Sequence, residues 1–482
     1  MSVITERFEE KCRECSEKAA VITVQDGKKF CRTFGQLYED IKSFSGYFEK
    51  KGVLSGQKIL LFAKISYRLV VFMIAAMRMG IAVMFVDISA LQDDPGNVIE
   101  RFRPDHILVS KKTKLLRFLF RGTRKIKSFI DIDSISFNLE DAVITDAAEN
   151  SVALLTMTTG STGVPKIIPR THSELLSQLE LIRANMKDAE NDIILTTSFM
   201  YVFANLISGY TTVLPTVSLA GKGTQLNKYF SSFKDLRITM IITSPDFCLK
   251  VSGMFPELRT MYIGGAILNR YETERILEKF GQADIFYIYG STECNLMACT
   301  RLDYYKERLF SDESCLGEIV NGVSVMIRDD EIFVSSSALL KNDISGFSSN
   351  CLTENGNVWY STGDAGYIKD SKLYYLGRKK FSFKEGDRRI YYNQIEQYVS
   401  VRMPEIQKCA FIQNDGMKLL FTEGNNVSFE NAARLVKEGF GFDVTVKSLD
   451  HIPRDVKHNT KVDYKKLFAE NKKIWNTQLT MR

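Results

Sequence analysis

Histidine and tryptophan are scarce in this chain, with four and two copies in 482 residues. A site built on several histidines, whether a Ser–His–Asp relay or a histidine-rich metal centre, is therefore not the expectation. Neither charge sign dominates: 64 basic and 58 acidic side chains leave a net charge of +6. No basic repeat with interleaved aromatics argues for nucleic acid. The longest apolar stretch, Leu69 to Met77, is too short to span a bilayer. Cys12 and Cys15 form a lone C-x-x-C without a second pair at zinc-ligand spacing. The nine scattered cysteines fit reduced thiols and a cytoplasmic protein. Met1-Ser2-Val3-Ile4 runs straight into charge, unlike a signal peptide.

What is present is ordinary globular material, 45% hydrophobic and 25% charged, and long enough for at least two domains. Within residues 29–50, Phe34, Leu37, Ile41, Phe44 and Phe48 recur at helical spacing, and Gly52 closes the helix. Lys58 to Phe62 reads as a buried strand, Tyr67 to Met79 as an apolar helix, and Ala82 to Asp87 as the next strand. That rhythm predicts a βαβ unit and an α/β fold with parallel sheets. Met240-Ile241-Ile242 predicts another strand, with Pro245 opening a helix. Residues 111–127 alternate basic and apolar side chains. A solvated helix with one buried face is the preferred reading, and contact with a membrane surface or an acidic carrier protein is the alternative.

One stretch carries more chemistry than the rest: Thr158-Thr159-Gly160-Ser161-Thr162-Gly163-Val164-Pro165-Lys166. It follows the apolar run Val152 to Leu155. Its glycines allow a close backbone approach, and its hydroxyls, N–H groups and lysine can converge on one anion. The spacing is not that of Walker A, which needs Gly-Lys-Ser/Thr at its end. Alone, the stretch could be a surface turn.

It resembles the phosphate loop of the adenylate-forming superfamily, which includes acyl-CoA synthetases, peptide-synthetase adenylation domains and luciferases. The resemblance recurs in order over roughly residues 10–470. Tyr289-Gly290-Ser291-Thr292-Glu293 is similar to the family's Tyr-Gly-x-Thr-Glu, Tyr360-Ser361-Thr362-Gly363-Asp364 to its ribose motif, and Gly377-Arg378-Lys379-Lys380 to its hinge. Phe383 to Ile390 resembles the motif that follows the hinge, with one residue more than usual. Counting forward from Gly386 selects Arg388 as the family arginine; counting back from Ile395-Glu396 selects Arg389. Ile452 to Asp463 resembles the catalytic-lysine motif, although Thr460 replaces the usual glycine.

The resemblance implies a large N-terminal domain of several subdomains, residues 1–379, and a small mobile α+β domain, residues 380–482, pivoting at Lys380. ATP would lie on Thr158 to Gly163, Lys166, Gly265, Ala266, Tyr289, Gly290 and Ser291, with Asp364 on the ribose and Arg378 near the nucleotide. Glu293 would take Mg²⁺, Thr292 a phosphate, and Lys461 the reacting oxygens. Gly264, Tyr201, Val202 and Asn205 would border the acid, and Gly386 the tunnel for an incoming thiol of CoA or phosphopantetheine. No aspartate falls between Phe199 and Leu206 to pair with an α-ammonium, so α-amino acids are disfavoured and an aryl or fatty acid is expected. Two alternatives stand beside the acid–thiol ligase: a β-lactone synthetase acting on a β-hydroxy acid, and a nucleotide-binding protein without turnover. On either ligase reading the partners are a small carboxylic acid and, for thiol transfer, a possible carrier protein.

Overall fold

The computed structural model describes residues 3–25, 28–85, 99–100, 102–111, 126, 128–142, 148–158, 166–219, 221–340, 350–414, 416–455 and 460–471. Two large sheets organise the first 378 residues. The smaller has six strands in the order Ser128–Asp131, His106–Val109, Lys58–Phe62, Ala82–Phe85, Val152–Thr158 and Lys166–Thr171. The first five run parallel and the last is an antiparallel edge. Their continuous apolar runs follow from burial on both faces, as in the fully buried Ile59, Leu60 and Leu61. Helix Tyr67–Arg78 supplies the predicted crossover, started by Ser66, whose side chain accepts from the Leu69 N–H.

The larger sheet has fourteen strands. Six of them are parallel: Ala19–Gln25, Thr211–Leu214, Ile193–Thr196, Met240–Thr243, Thr260–Gly264 and Asp284–Tyr289 lie side by side. Beyond Asp284–Tyr289 the strands turn antiparallel, through Ala298–Arg301, Ser314–Ile319, Lys372–Arg378, Asn357–Lys369, Glu331–Ser336 and Val323–Arg328. The helical pattern expected across 29–50 splits: Lys28–Thr33 is an edge strand, and the helix is Phe34–Lys50. Thr33 ends one and caps the other in a capping box with Gln36. The predicted helix at Pro245 spans Pro245–Lys250.

Past Arg378 the chain builds separate sheets. A hairpin pairs Ser382–Glu385 with Arg388–Tyr391, and a three-stranded sheet joins Ile406–Asn414, Met417–Gly424 and Thr445–Ser448. This part has its own apolar core around Ile395, Val399, Ile406, Phe411 and Leu420. Its seam with the rest of the molecule combines apolar packing, with Val401 joining the core of the larger sheet, and a set of polar bonds. Helix Arg270–Phe280 presents Asn269 Nδ2 to the Gln407 carbonyl at 2.9 Å and Arg270 Nε to the Ser400 carbonyl at 3.0 Å. Gln397 Nε2 returns a bond to the Leu268 carbonyl, and Lys408 Nζ meets Glu272 Oε1 at 2.7 Å with both side chains buried.

Candidate active site

In open α/β sheets ligands collect outside the carboxyl ends of parallel strands. Four of the stretches singled out in the sequence leave such ends. Strand Val152–Thr158 runs into the Gly/Ser/Thr stretch, and strand Ile193–Thr196 leads to helix Phe199–Ile207. Strand Thr260–Gly264 runs into Gly265 and Ala266, and strand Asp284–Tyr289 into Gly290 to Glu293. Thr158 and Lys166 face one another across the antiparallel ladder, so the ends of the stretch between them meet. Thr159, Gly160, Ser161, Thr162 and Gly163 lie outside the described residues, as do residues 112–125 and 127 of the basic stretch.

The tightest cluster joins three motifs. The buried Tyr289 hydroxyl donates to Asp364 Oδ2 at 2.7 Å. Arg378 lies opposite Asp364 in the neighbouring strand and brings Nε to 3.0 Å from Oδ1. Burial, and then the Asp364 carboxylate, push the Tyr289 phenol well up. The same carboxylate is the main force holding Arg378 charged. The Arg378 side chain is still 43% exposed, so its guanidinium borders open space. Oδ1 of Asp364 accepts no hydrogen bond of good geometry, while the Thr362 hydroxyl accepts from the Asp364 N–H at 3.1 Å.

A second contact lies one turn of chain away. Tyr360 and the Glu293 carboxylate are neighbours, and that carboxylate adds to burial in raising the Tyr360 phenol. The Ser291 hydroxyl accepts from the Glu293 and Cys294 N–H groups at 3.2 and 3.3 Å, which makes it the cap of this turn. A carboxylate half-exposed at the turn can serve a hard cation that brings other ligands with it. Among the described residues no group of three or more His, Cys, Asp or Glu side chains forms a metal cage.

The glycines here are explained by packing. A Cβ on Gly290 would sit 1.5 Å from the Asn295 carbonyl oxygen, and one on Gly264 would press into the Ile288 side chain at 2.5 Å. Gly265 takes φ +105°, a conformation that few L-residues tolerate. Ala266 is buried, and its carbonyl accepts the Tyr287 hydroxyl at 2.8 Å.

On helix Phe199–Ile207, Tyr201 is half-buried while Val202 and Asn205 are buried. Asn205 Oδ1 accepts from Arg183 at 3.3 Å, and its Nδ2 has no acceptor.

Lys461, Lys380 and Gly386 belong to the C-terminal part and are all exposed. The Lys461 backbone is clamped by Asp455: the lysine N–H donates to Oδ1 at 3.0 Å and its carbonyl accepts from the Asp455 N–H at 2.8 Å. Gly386 takes φ +59° at the tip of the hairpin with nothing within 4 Å of an added Cβ, so backbone conformation alone selects glycine there. Of the two candidate arginines, Arg388 bonds the Phe440 carbonyl and Arg389 the Ser382 hydroxyl, each at 3.2 Å.

The residue that sequence reasoning passed over is Arg170. It is 1% exposed in the strand that follows the Gly/Ser/Thr stretch. Its guanidinium donates to Gln178 Oε1 at 2.7 Å, Thr156 Oγ1 at 2.7 Å and the Thr292 carbonyl at 2.6 Å. Gln178 Nε2 in turn donates to the Glu293 and Ala338 carbonyls at 3.1 Å each. A charged residue two positions past Ile168 in an apolar strand was the one available signal. His172, next in helix His172–Ala184, is buried with both ring nitrogens unpartnered, and burial pushes its pKa down to about 4. The helix cap is its neighbour Thr171, in a box with Glu174.

Comparison with known proteins gives the chain a family and its fold close relatives. The D-alanine–D-alanyl carrier protein ligase of Lactococcus lactis is 26% identical over 427 residues, 82% of this chain and 82% of that protein. The corresponding ligase of Streptococcus equi is 23% identical, over 91% of this chain and 94% of its own. Among solved structures, O-succinylbenzoate coenzyme A synthetase of Bacillus subtilis in complex with AMP superposes with a TM-score of 0.78 at 20% identity, covering 96% of this chain and 97% of that one. ATP-bound MatB of Rhodopseudomonas palustris gives 0.82 at 16% identity, covering 98% and 100%. A family model for AMP-binding enzymes matches residues 8–333, well over half of the sequence. The chain belongs to the AMP-binding enzyme family.

Proposed function

We propose that this chain is an AMP-forming acid–thiol ligase. It converts a carboxylic acid and ATP to an acyl adenylate and pyrophosphate, then passes the acyl group to a thiol. The observation that carries this reading is the Tyr289–Asp364–Arg378 cluster, because it joins the nucleotide motifs of an AMP-binding enzyme in one place.

In the first step an oxygen of the substrate carboxylate attacks the α-phosphorus. The bond from that phosphorus to the β-bridging oxygen breaks, and pyrophosphate carries away the electron pair. Little covalent work falls to the protein; its task is to position reactants and to meet developing negative charge. Asp364 is the carboxylate proposed for the ribose hydroxyls, with Arg378 Nε held 3.0 Å from its Oδ1 and the guanidinium bordering the same site. Thr158 to Gly163 and Lys166 receive the β- and γ-phosphates, with Thr292 on a phosphate, Tyr289 toward the adenine, and Gly290 and Ser291 on the nucleotide. Mg²⁺, held by Glu293 and the nucleotide's own oxygens, would neutralise phosphate charge. Lys461 meets the oxygens between acid and phosphorus. In the second step a thiolate attacks the acyl carbon, the carbon–oxygen bond to AMP breaks, and AMP leaves with that electron pair.

The two steps need different surfaces, so residues 380–482 are proposed to swing about Lys380, bringing first Lys461 and then Gly386 to the adenylate. The acceptor is CoA or the phosphopantetheine of a carrier protein; the carrier-protein ligases named above favour the second. The acid borders Tyr201, Val202, Asn205 and Gly264, a mostly apolar lining that favours an aryl or fatty acid. Those relatives raise a second reading, an amino acid, against which stands the lack of an aspartate from Phe199 to Leu206. The free cysteines, Cys12 held up at about 12 by burial, fit the proposed cytoplasmic setting.

A pyrophosphate-release screen over fatty, aryl, β-hydroxy and amino acids, with and without CoA, tests all of this. Release with one acid class, raised by CoA, is the expected result for a CoA ligase. A single turnover untouched by CoA points to a carrier protein. Sustained turnover without thiol would favour the β-lactone alternative, and silence with every acid would sink the ligase reading.

A further inference from the structure

Arg170 is a buried cation whose three hydrogen-bond acceptors are all neutral: an amide oxygen, a hydroxyl and a carbonyl. Burying a guanidinium without a carboxylate in contact is costly. Burial lowers its pKa to about 10; the Glu293 and Glu174 carboxylates act on it in the opposite direction through space. Glu174 is already engaged in the capping box at Thr171. A neutral glutamine could tie a hydroxyl to a carbonyl at far lower cost. The charge therefore asks for an anion that arrives later.

The groups Arg170 ties together say where. Thr156 is two residues ahead of Thr158, where the phosphate stretch begins. Thr292 O is the carbonyl that precedes Glu293, and Gln178, itself bonded to Arg170, holds the next carbonyl. One guanidinium thus links the base of the proposed phosphate loop to the backbone of the proposed Mg²⁺ carboxylate.

Resting on the ligase reading above, we infer that Arg170 is a positioning residue for the metal–nucleotide complex. It fixes Thr292 and Glu293 relative to the strand that bears the phosphate loop, and it lends that site a preorganised positive charge which the triphosphate compensates on binding. Gln178 is the second member of the brace. Neither belongs to the proposed acid lining of Tyr201, Val202, Asn205 and Gly264, so the effect falls on nucleotide and metal.

The test uses the full chain and measures MgATP and metal-free ATP binding by calorimetry in the absence of acid, with thermal melting as a folding check. Arg170→Lys keeps the charge and loses the fork; Thr156→Val is nearly isosteric and removes one acceptor. We expect Arg170→Lys to weaken MgATP about tenfold or more, the size of one hydrogen bond to a charged group, and to shrink the advantage of MgATP over metal-free ATP. Thr156→Val moves both in the same direction by less. In pyrophosphate-release assays the KM for the acid stays within about threefold, a split that general loosening would not produce. Should Arg170→Lys fail to fold, Thr156→Val and Gln178→Met carry the measurement. Unchanged MgATP affinity in folded variants, or equal losses toward acid and nucleotide, would overturn the inference. A wild-type chain that binds no ATP would overturn the ligase reading itself, and this inference with it.

Discussion

The Tyr289 hydroxyl and the Asp364 carboxylate, 75 residues apart in sequence, meet at 2.7 Å in a buried hydrogen bond. That bond orients a carboxylate whose other oxygen faces Arg378. Tyr289→Phe removes the donor and leaves Oδ2 without its partner, a loss of about 1–3 kcal/mol for a buried group. The expected outcome is a rise of about tenfold in KM for ATP with little change for the acid, read from pyrophosphate release at varied ATP. An unchanged ATP term would show that Asp364 needs no such orientation.

Lys461 is assigned to the first half-reaction alone. Lys461→Ala should lower adenylation by about 10²–10³, the scale of one preorganised charge at a transition state. Transfer from a synthetic acyl adenylate to the thiol should survive. If both half-reactions fall together, the lysine serves the fold of the loop that Asp455 clamps rather than the chemistry.

Glu396 gives a pH dependence with a definite sign. Burial lifts its carboxyl from 4.5 to about 7, against the bonds from Tyr464 and the Phe411 N–H and the pull of Lys408. Between those values the folded chain keeps a proton that the unfolded chain releases. The stabilisation is complete below 4.5 and is lost as pH rises toward 7. Subtracting the melting curve of Glu396→Gln from that of the wild type should give a difference that falls across this window and is flat above it. A difference curve without slope there would place the carboxyl at its ordinary value.

At the seam, Lys408 and Glu272 are buried together. Lys408→Met strands a carboxylate and should cost about 3–5 kcal/mol of docking, whereas the double change Lys408→Met with Glu272→Met should recover much of that. Limited proteolysis near residue 380 reports the docking directly. Equal susceptibility in single and double variants would mean that the pair contributes nothing to the seam.

Much of this architecture could be read from the chain because it rests on local rules. The βαβ unit at Lys58–Phe85 announced itself through its apolar runs, and Pro245 opened its helix as proline at a first turn does. The two motifs implied only that Tyr289 and Asp364 both serve the nucleotide; their direct hydrogen bond is a finding of the structure. What stayed hidden was long-range or steric. Nothing local says that Arg170 reaches the Thr292 carbonyl 122 residues away. Gly264 and Gly290 look like ligand-contact glycines in sequence, yet Ile288 and the Asn295 carbonyl already exclude a side chain there. Helix Phe34–Lys50 was legible; the strand Lys28–Thr33 before it was not, because an exposed edge strand carries little apolar alternation.

The seam built from Asn269, Arg270, Glu272, Gln397 and Lys408 has one more consequence. Directional bonds to fixed carbonyls tolerate little rotation: a few ångströms of travel break all of them together. Such a joint behaves as a detent rather than a bearing. If residues 380–482 swing as proposed, the C-terminal part would rest at one angle and, once released, wet these polar groups while uncovering Val401. On that proposal it would return to the same notch on every cycle.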